Sequence, residues 1–179
     1  TGIMTARLLS SKKCTVAVAE AKCDVAMGAT CSNSAIVHSG YDAKPGTLKA
    51  KLNVRGNRLM KELAAQLDVE LKNVGSHVVG FNDEDLRVLR ELYERGAANG
   101  VPDLRLIGRD ELRTMEPNIS EKAVGSLFAP SAAITCPYGI TIAAAENAVT
   151  NGVDFYFNFK VTGASEAGGI YYISNGRDT

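Results

Sequence analysis

The feature that most constrains this chain is a short apolar run, CTVAVAE at residues 14 to 20, which follows directly on a helical pattern and ends in a carboxylate. Ahead of it, Ile3, Ala6, Leu8 and Leu9 recur at roughly helical spacing, so the spacing predicts a helix over the first residues. An apolar run without alternation predicts a strand buried in a parallel sheet. Helix then buried strand is half of a βαβ unit, and parallel strands need such crossovers, so the order predicts an α/β fold. The same grammar returns near the other end. TIAAAENAVTNG predicts a small-residue helix ending at Gly152. It feeds NGVDFYFNF, where Val153, Phe155, Phe157 and Phe159 alternate with Asp154, Tyr156 and Asn158. GGIYYISNGRD then predicts a further strand and a turn. With no strand ahead of the first helix and none to cover the last strand, the expectation is a fragment: an incomplete doubly wound domain whose first strand is missing.

The middle of the chain reads differently. TLKAKLNVRGNRLMKELAAQL carries Leu48, Leu52, Leu59, Leu63 and Leu67 along one helical stripe, with Lys49, Lys51, Arg55 and Arg58 read as its solvated face. LKNVGSHVVGF has the β-branched density of one or two strands, with His77 read as a strand residue at a lobe surface. NDEDLRVLRELYERGAANG predicts a helix capped by Asn82 or Asp83, buried through Leu86, Leu89 and Tyr93 and stopped at Gly100. Asp83, Glu84 and Asp85 read as first-turn charges that complement the helix dipole, and no metal constellation is expected. GRDELRTMEPN predicts a short helix halted by Pro117, and AVGSLFAPSAAITCP a strand pair broken at Pro130.

Composition narrows the function classes. Twenty basic and twenty acidic side chains cancel, which removes the electrostatic footprint of a protein that binds nucleic acid through backbone phosphates. No apolar stretch approaches the roughly 20 residues of a membrane-spanning helix, so no transmembrane segment is expected. Cys14, Cys23, Cys31 and Cys136 have no CxxC or zinc spacing and read as free thiols in a reducing, cytoplasmic compartment.

Two groups of residues point to chemistry. Gly2 stands at a helix start and Glu20, 18 positions later, at the end of the next strand. These are the contexts of the last glycine of a dinucleotide fingerprint, which allows close helix–sheet packing, and of the acidic residue that accepts ribose hydroxyls. A helix-start glycine and a strand-end glutamate are also common for purely structural reasons. The second group is DVAMGATCSNSAIVHSGYDAKPGTLKAKLNVRGN, residues 24 to 57, where Gly28, Thr30, Ser32, Asn33 and Ser34 precede Ile36, Val37, His38, Gly40 and Tyr41. Small side chains let backbone approach a flat ligand, and their hydroxyls and amides can satisfy phosphate or ring heteroatoms. A polar turn leading into a short strand is the competing account.

With these stretches the sequence resembles the D-amino-acid-oxidase-like superfamily of FAD-dependent oxidoreductases, in the branch that contains FAD-linked glycerol-3-phosphate dehydrogenases and L-2-hydroxyglutarate dehydrogenases. NSAIVHSGY and PGTLKAKLNVRGN carry most of that resemblance. It implies FAD as cofactor, with Gly2 as the final fingerprint glycine and Glu20 holding the adenosine ribose. It puts Thr30, Ser32, Asn33 and Ser34 along the pyrophosphate and ribityl chain and the Val161 backbone at the adenine. His38 would approach the isoalloxazine ring, without covalent attachment being implied, and would be the candidate catalytic base. The implied organisation is a cofactor domain at 1–69, an inserted α+β substrate lobe at 70–136, and the cofactor domain continued at 137–179. The implied reaction is hydride transfer from a secondary alcohol. Glycerol 3-phosphate is the first expectation for the small-molecule substrate and L-2-hydroxyglutarate the second. Gly40, Tyr41 and Asp42 stand where several glycerol-3-phosphate enzymes place an arginine, and the electron acceptor is left open. A catalytically silent interaction module is the alternative of another class. A nicotinamide domain would share the logic of Gly2 and Glu20 but gives no reason for the loop that ends at His38.

Overall fold

The computed structural model describes residues 1–177. In chain order the elements are α1 (Gly2–Ser10), β1 (Val16–Ala19), a 3-10 turn (Ala29–Cys31), β2 (Ile36–Val37), α2 (Leu48–Gln66), β3 (Leu71–Lys72), β4 (Ser76–Gly80) and α3 (Asp83–Ala98). They continue with β5 (Arg105–Gly108), α4 (Arg109–Met115), β6 (Gly125–Ala129), β7 (Ala133–Thr135), α5 (Pro137–Thr150), β8 (Val153–Tyr156), β9 (Gly163–Ala167) and β10 (Ile170–Ser174). They form two compact units, one of residues 1–34, 67–69 and 136–179 and one of residues 35–66 and 70–135. The fold is α/β, as the helix–strand order predicts.

In the first unit β1 and β8 pair in parallel, Val16 opposite Val153 and Val18 opposite Phe155. Helices α1 and α5 pack on each other, and α1 also lies on β1. Ala6, Ala148 and Val153 are buried together, with Val16, Val18 and Phe155 against them. Alanines at this contact let the helix backbones come close, which larger side chains would prevent. The expectation that residues 14 to 20 form a fully buried strand is corrected. Val16 and Val18 are half-buried while Ala17 and Ala19 are exposed, because among the described residues β1 pairs with β8 alone and one face is left uncovered. The phenylalanine alternation survives only to Tyr156. Phe157 lies past the strand end, 40% exposed, and stacks on Phe155 with ring centroids 5.8 Å apart. The predicted last strand is β10, the second half of an antiparallel hairpin with β9.

The second unit has two small antiparallel sheets, β2-β7-β3 and β4-β6-β5. Helices α3 and α4 cover the latter, burying Leu89, Ile107 and Leu112, and Leu112 and Leu127 are fully enclosed. Each buried leucine contributes about 1.5–3 kcal/mol of transfer free energy. Helix α3 starts as the sequence dictates. The Asn82 side chain accepts from the Asp85 N–H at 2.9 Å, and Asp85 Oδ2 accepts from the Phe81 N–H at 2.8 Å. It ends ahead of Gly100, at φ +75°. Tyr93 belongs to the exposed side of this helix, 37% accessible, whereas Gly96 is buried.

The largest departure is in α2. Its inward face is Ala50, Val54, Asn57 and Ala64, while Leu48, Leu52 and Leu59 are 70%, 52% and 49% exposed. The first three leucines of the predicted stripe therefore face outward, whereas Leu63 is half-buried and Leu67, just past the helix end, is buried as expected. The inward face is chosen by distance of approach. A Cβ on Gly40 would lie 2.7 Å from Val54 Cγ2, a spacing that only a slender helix surface opposite a glycine tolerates. Lys51, Arg55 and Arg58 are exposed, as expected.

Candidate functional site

The N-terminus of α1 and the C-terminal end of β1 open onto one cleft of about 440 Å³. Thr1, Gly2, Ile3 and Met4 supply one wall, Val18 to Lys22 another, and Ala26, Met27, Gly28 and Thr30 a third, with Thr141 reaching in from α5. The volume lies within the range of small-molecule and cofactor sites. Crevices outside the carboxyl ends of parallel strands are where open α/β sheets bind ligands, and this one has that location.

Its electrostatics follow from the backbone. The first-turn N–H groups of α1 have no intrahelical acceptor, the first turn holds no acidic residue, and Thr1 makes no side-chain cap. The helix start is therefore a positive end that favours an anion. Across the cleft Glu20 is half-buried, and its Oε1 accepts from the Lys22 N–H at 2.8 Å, which holds the carboxylate in place. The Glu20 backbone is tied on both sides, its N–H to Tyr156 O and its carbonyl to the Phe159 N–H, each at 2.9 Å. This pairing prolongs the β1–β8 ladder and fixes the strand end at which the carboxylate sits.

The loop that closes the cleft is bracketed by two alanines in the left-handed region, Ala26 at φ +62° and Ala35 at φ +60°. Each costs about 1–2 kcal/mol, a strain that tends to concentrate in functional loops. Within it Cys31 Sγ donates to Gly28 O at 2.9 Å and Asn33 Nδ2 donates to Thr30 O at 2.8 Å, so the turn is knitted by its own side chains. At its border the Tyr138 phenol is pushed up from its ordinary pKa, chiefly by its hydrogen bond to Cys31, with burial and the charges of Cys31 and Cys136 acting in the same direction.

The cleft thus brings together Gly2, Glu20 and Thr30 of the expected residues. Gly2 is placed by a different logic from close packing: a Cβ there, or on Gly28, would meet no protein atom within 4 Å, so both keep the cleft wall low. Ser32, Asn33 and Ser34 are exposed on the same loop but outside the lining, and Val161 is exposed between β8 and β9. His38 belongs to the second unit, directly after β2, with its side chain exposed. Thr141 was not legible as a site residue. Only its place at the start of the second turn of a helix that Pro137 and Gly139 open distinguishes it from its alanine neighbours. Among the described residues no group of three or more His, Cys, Asp or Glu could hold a metal ion, and the four cysteines are free and exposed. Among the described residues no helix is long and apolar enough to cross a membrane.

An anion-favouring helix start, a carboxylate at the adjacent strand end and glycine-lowered walls suit an adenine dinucleotide, and the family agrees. The model of the FAD-dependent oxidoreductase family (DAO) matches residues 1–179, and the chain belongs to that family. It is 44% identical over 178 residues to the glycerol 3-phosphate dehydrogenase of Caloramator mitchellensis, covering 99% of this chain and 37% of that protein. It is 34% identical over 151 residues to the L-2-hydroxyglutarate dehydrogenase of Escherichia coli K12, covering 84% of this chain and 35% of that protein. Among solved structures, the dithionite-reduced L-alpha-glycerophosphate oxidase of Mycoplasma pneumoniae with FAD bound superposes with a TM-score of 0.88 at 26% identity, over 96% of this chain and 46% of that one. The chain spans little more than a third of the length of these curated relatives.

Proposed function

We propose that this chain is part of a cytoplasmic flavoprotein dehydrogenase that oxidises the secondary alcohol of glycerol 3-phosphate to the ketone of dihydroxyacetone phosphate. The observation that carries this reading is the meeting of Gly2, Glu20, Gly28 and Thr30 in one cleft, in a chain 44% identical to a glycerol 3-phosphate dehydrogenase. FAD, when bound, supplies the acceptor for the hydride that leaves the carbinol carbon.

The chain's own residues bind and orient. The α1 N–H groups neutralise pyrophosphate charge, and Glu20 accepts from the ribose hydroxyls of the adenosine. Thr30, Ser32, Asn33 and Ser34 line the chain toward the ring, and the Val161 backbone meets the adenine. His38 receives the hydroxyl proton of the substrate, a role its exposed imidazole suits. In functional terms residues 1–69 and 137–179 serve the cofactor and 70–136 the substrate, a division distinct from that of the compact units.

L-2-hydroxyglutarate is the second substrate reading, favoured by the 34% identical relative. Anaerobic addition of each alcohol to the FAD-loaded protein separates them. Bleaching of the flavin by glycerol 3-phosphate is the expected result, and bleaching by L-2-hydroxyglutarate alone reverses the choice. A full-length protein that remains colourless after FAD is added points to a silent interaction module instead.

A further inference from the structure

The segment from His38 to Ala43 has no strand ladder of its own, yet its carbonyls are taken up one after another by side chains of two helices. Asn57 on α2 donates from Nδ2 to His38 O at 3.2 Å and to Ser131 O at 2.9 Å. Asn99, at the end of α3, donates from Nδ2 to Gly40 O at 3.0 Å and Ala43 O at 2.7 Å, and Arg95 Nη1 donates to Asp42 O at 3.1 Å. Asn57 is only 7% exposed, and among the described residues it is buried with few other polar side chains. A buried amide is kept where its hydrogen bonds are made, and here both bonds go to backbone carbonyls next to strand ends. The two acceptors lie at the same end of the antiparallel β2–β7 pairing, one beside each strand. His38 follows β2 and Ser131 precedes β7, so a single amide pins the exit of one strand to the entry of the other.

Among the described residues the His38 imidazole makes no hydrogen bond, so no side-chain hydrogen bond fixes it and its backbone matters all the more. That backbone is seated closely. Gly40 at φ +108° lies against Val54, and a Cβ on Gly96 would come within 2.9 Å of Tyr41 Cβ. Of the groups that hold the segment, Asn57 is the one bonded to the His38 carbonyl.

We propose that Asn57 is a positioning residue for His38: its buried amide fixes the backbone from which the imidazole reaches the substrate hydroxyl. This rests on the reading of His38 as proton acceptor. A group displaced by about 1 Å can lose on the order of a hundredfold in rate.

The test is a double-mutant cycle in the FAD-loaded full-length protein, with Asn57→Leu as the near-isosteric variant lacking donors and His38→Gln as its partner. Asn57→Leu alone is expected to lower kcat by about tenfold or more with a smaller change in KM. In the His38→Gln background it is expected to cause little further loss, because it acts through the imidazole. Asn57→Gln, which retains an amide, is expected to recover part of the rate. Equal losses from Asn57→Leu with and without His38, or no loss at all, overturn the proposal.

Hydrogen–deuterium exchange gives a readout independent of turnover. Residues 38–43 should exchange faster in Asn57→Leu, and unchanged exchange also overturns the proposal. If Asn57→Leu fails to fold, Asn57→Ser, smaller and still able to donate one bond, carries the same two measurements with an intermediate effect. A wild-type flavin that neither alcohol bleaches removes the substrate reading instead, and the exchange experiment then decides on the clamp by itself.

Discussion

At the scale of single residues the proposed cofactor site turns on Glu20, whose carboxylate is held by one short bond from the Lys22 N–H and whose backbone is tied to Tyr156 and Phe159. Glu20→Gln keeps an acceptor for Lys22 and so leaves the fold intact, but it removes the charge that the proposed function assigns to the ribose hydroxyls. A hydrogen bond to a charged group contributes about 1.5–3 kcal/mol, so FAD affinity should fall roughly ten- to a hundredfold, as read by quenching of flavin fluorescence on titration. His77 offers a prediction about stability. Its Nδ1 is 2.9 Å from Ser126 Oγ, and its ring stacks on Phe128 with centroids 4.7 Å apart. Burial lowers its pKa from the ordinary 6.5, with Glu116 opposing and Arg105 adding to the shift. In the window between the folded value and 6.5 the unfolded chain binds more protons than the folded one, so stability rises with pH across it. Urea midpoints should therefore drop as pH falls through 6.5 and level off below the folded pKa, and His77→Gln should flatten that slope.

Among the elements, α2 separates what sequence makes visible from what packing decides. Leucines at 48, 52, 59 and 63 give a strong helical period, and the helix is there, from Leu48 to Gln66. Which side faces inward was not visible, because it depends on how near Gly40 comes to Val54 and on acceptors at His38 and Ser131 that are 19 and 74 residues from Asn57. Size therefore misleads about cost. Val54→Ala, at a site 7% exposed, should destabilise by roughly 1–3 kcal/mol, whereas Leu52→Ala, at a site 52% exposed, should stay within about 0.5 kcal/mol in denaturant titrations. By contrast the existence of α1, α5, β1 and β8 was legible, because a local signal specifies each, whereas the partner of β1 and the end of β8 at Tyr156 were not. Alanines mark the close contact, Gly152 at φ +84° marks the stop, and a carboxylate marks the strand end. The same holds for α3, whose cap lies within four residues of its start.

For the whole molecule, the chain passes between its two units at residues 34/35, 66/67, 69/70 and 135/136, so each unit is assembled from distant stretches. That is why the α/β class could be read from the sequence but the compact units could not. A helix–strand alternation is written over some 20 residues, whereas membership of a unit is decided by contacts between segments far apart. It also sets where ligand binding should be felt. Addition of FAD should raise the melting temperature in proportion to the logarithm of its concentration above Kd. The accompanying protection from exchange should centre on residues 1–4, 18–22 and 26–30, which line the cleft. Protection confined to residues 70–130 would argue against the cofactor assignment. The Asn99 side chain adds a thermal consequence. The residue that ends α3 also grips Gly40 and Ala43, and helix ends are the first part of a helix to unwind on warming. A melt of that last turn frees the His38 loop while the rest of the helix is still wound, so heat should extinguish turnover several degrees before it erases the circular dichroism of the helices.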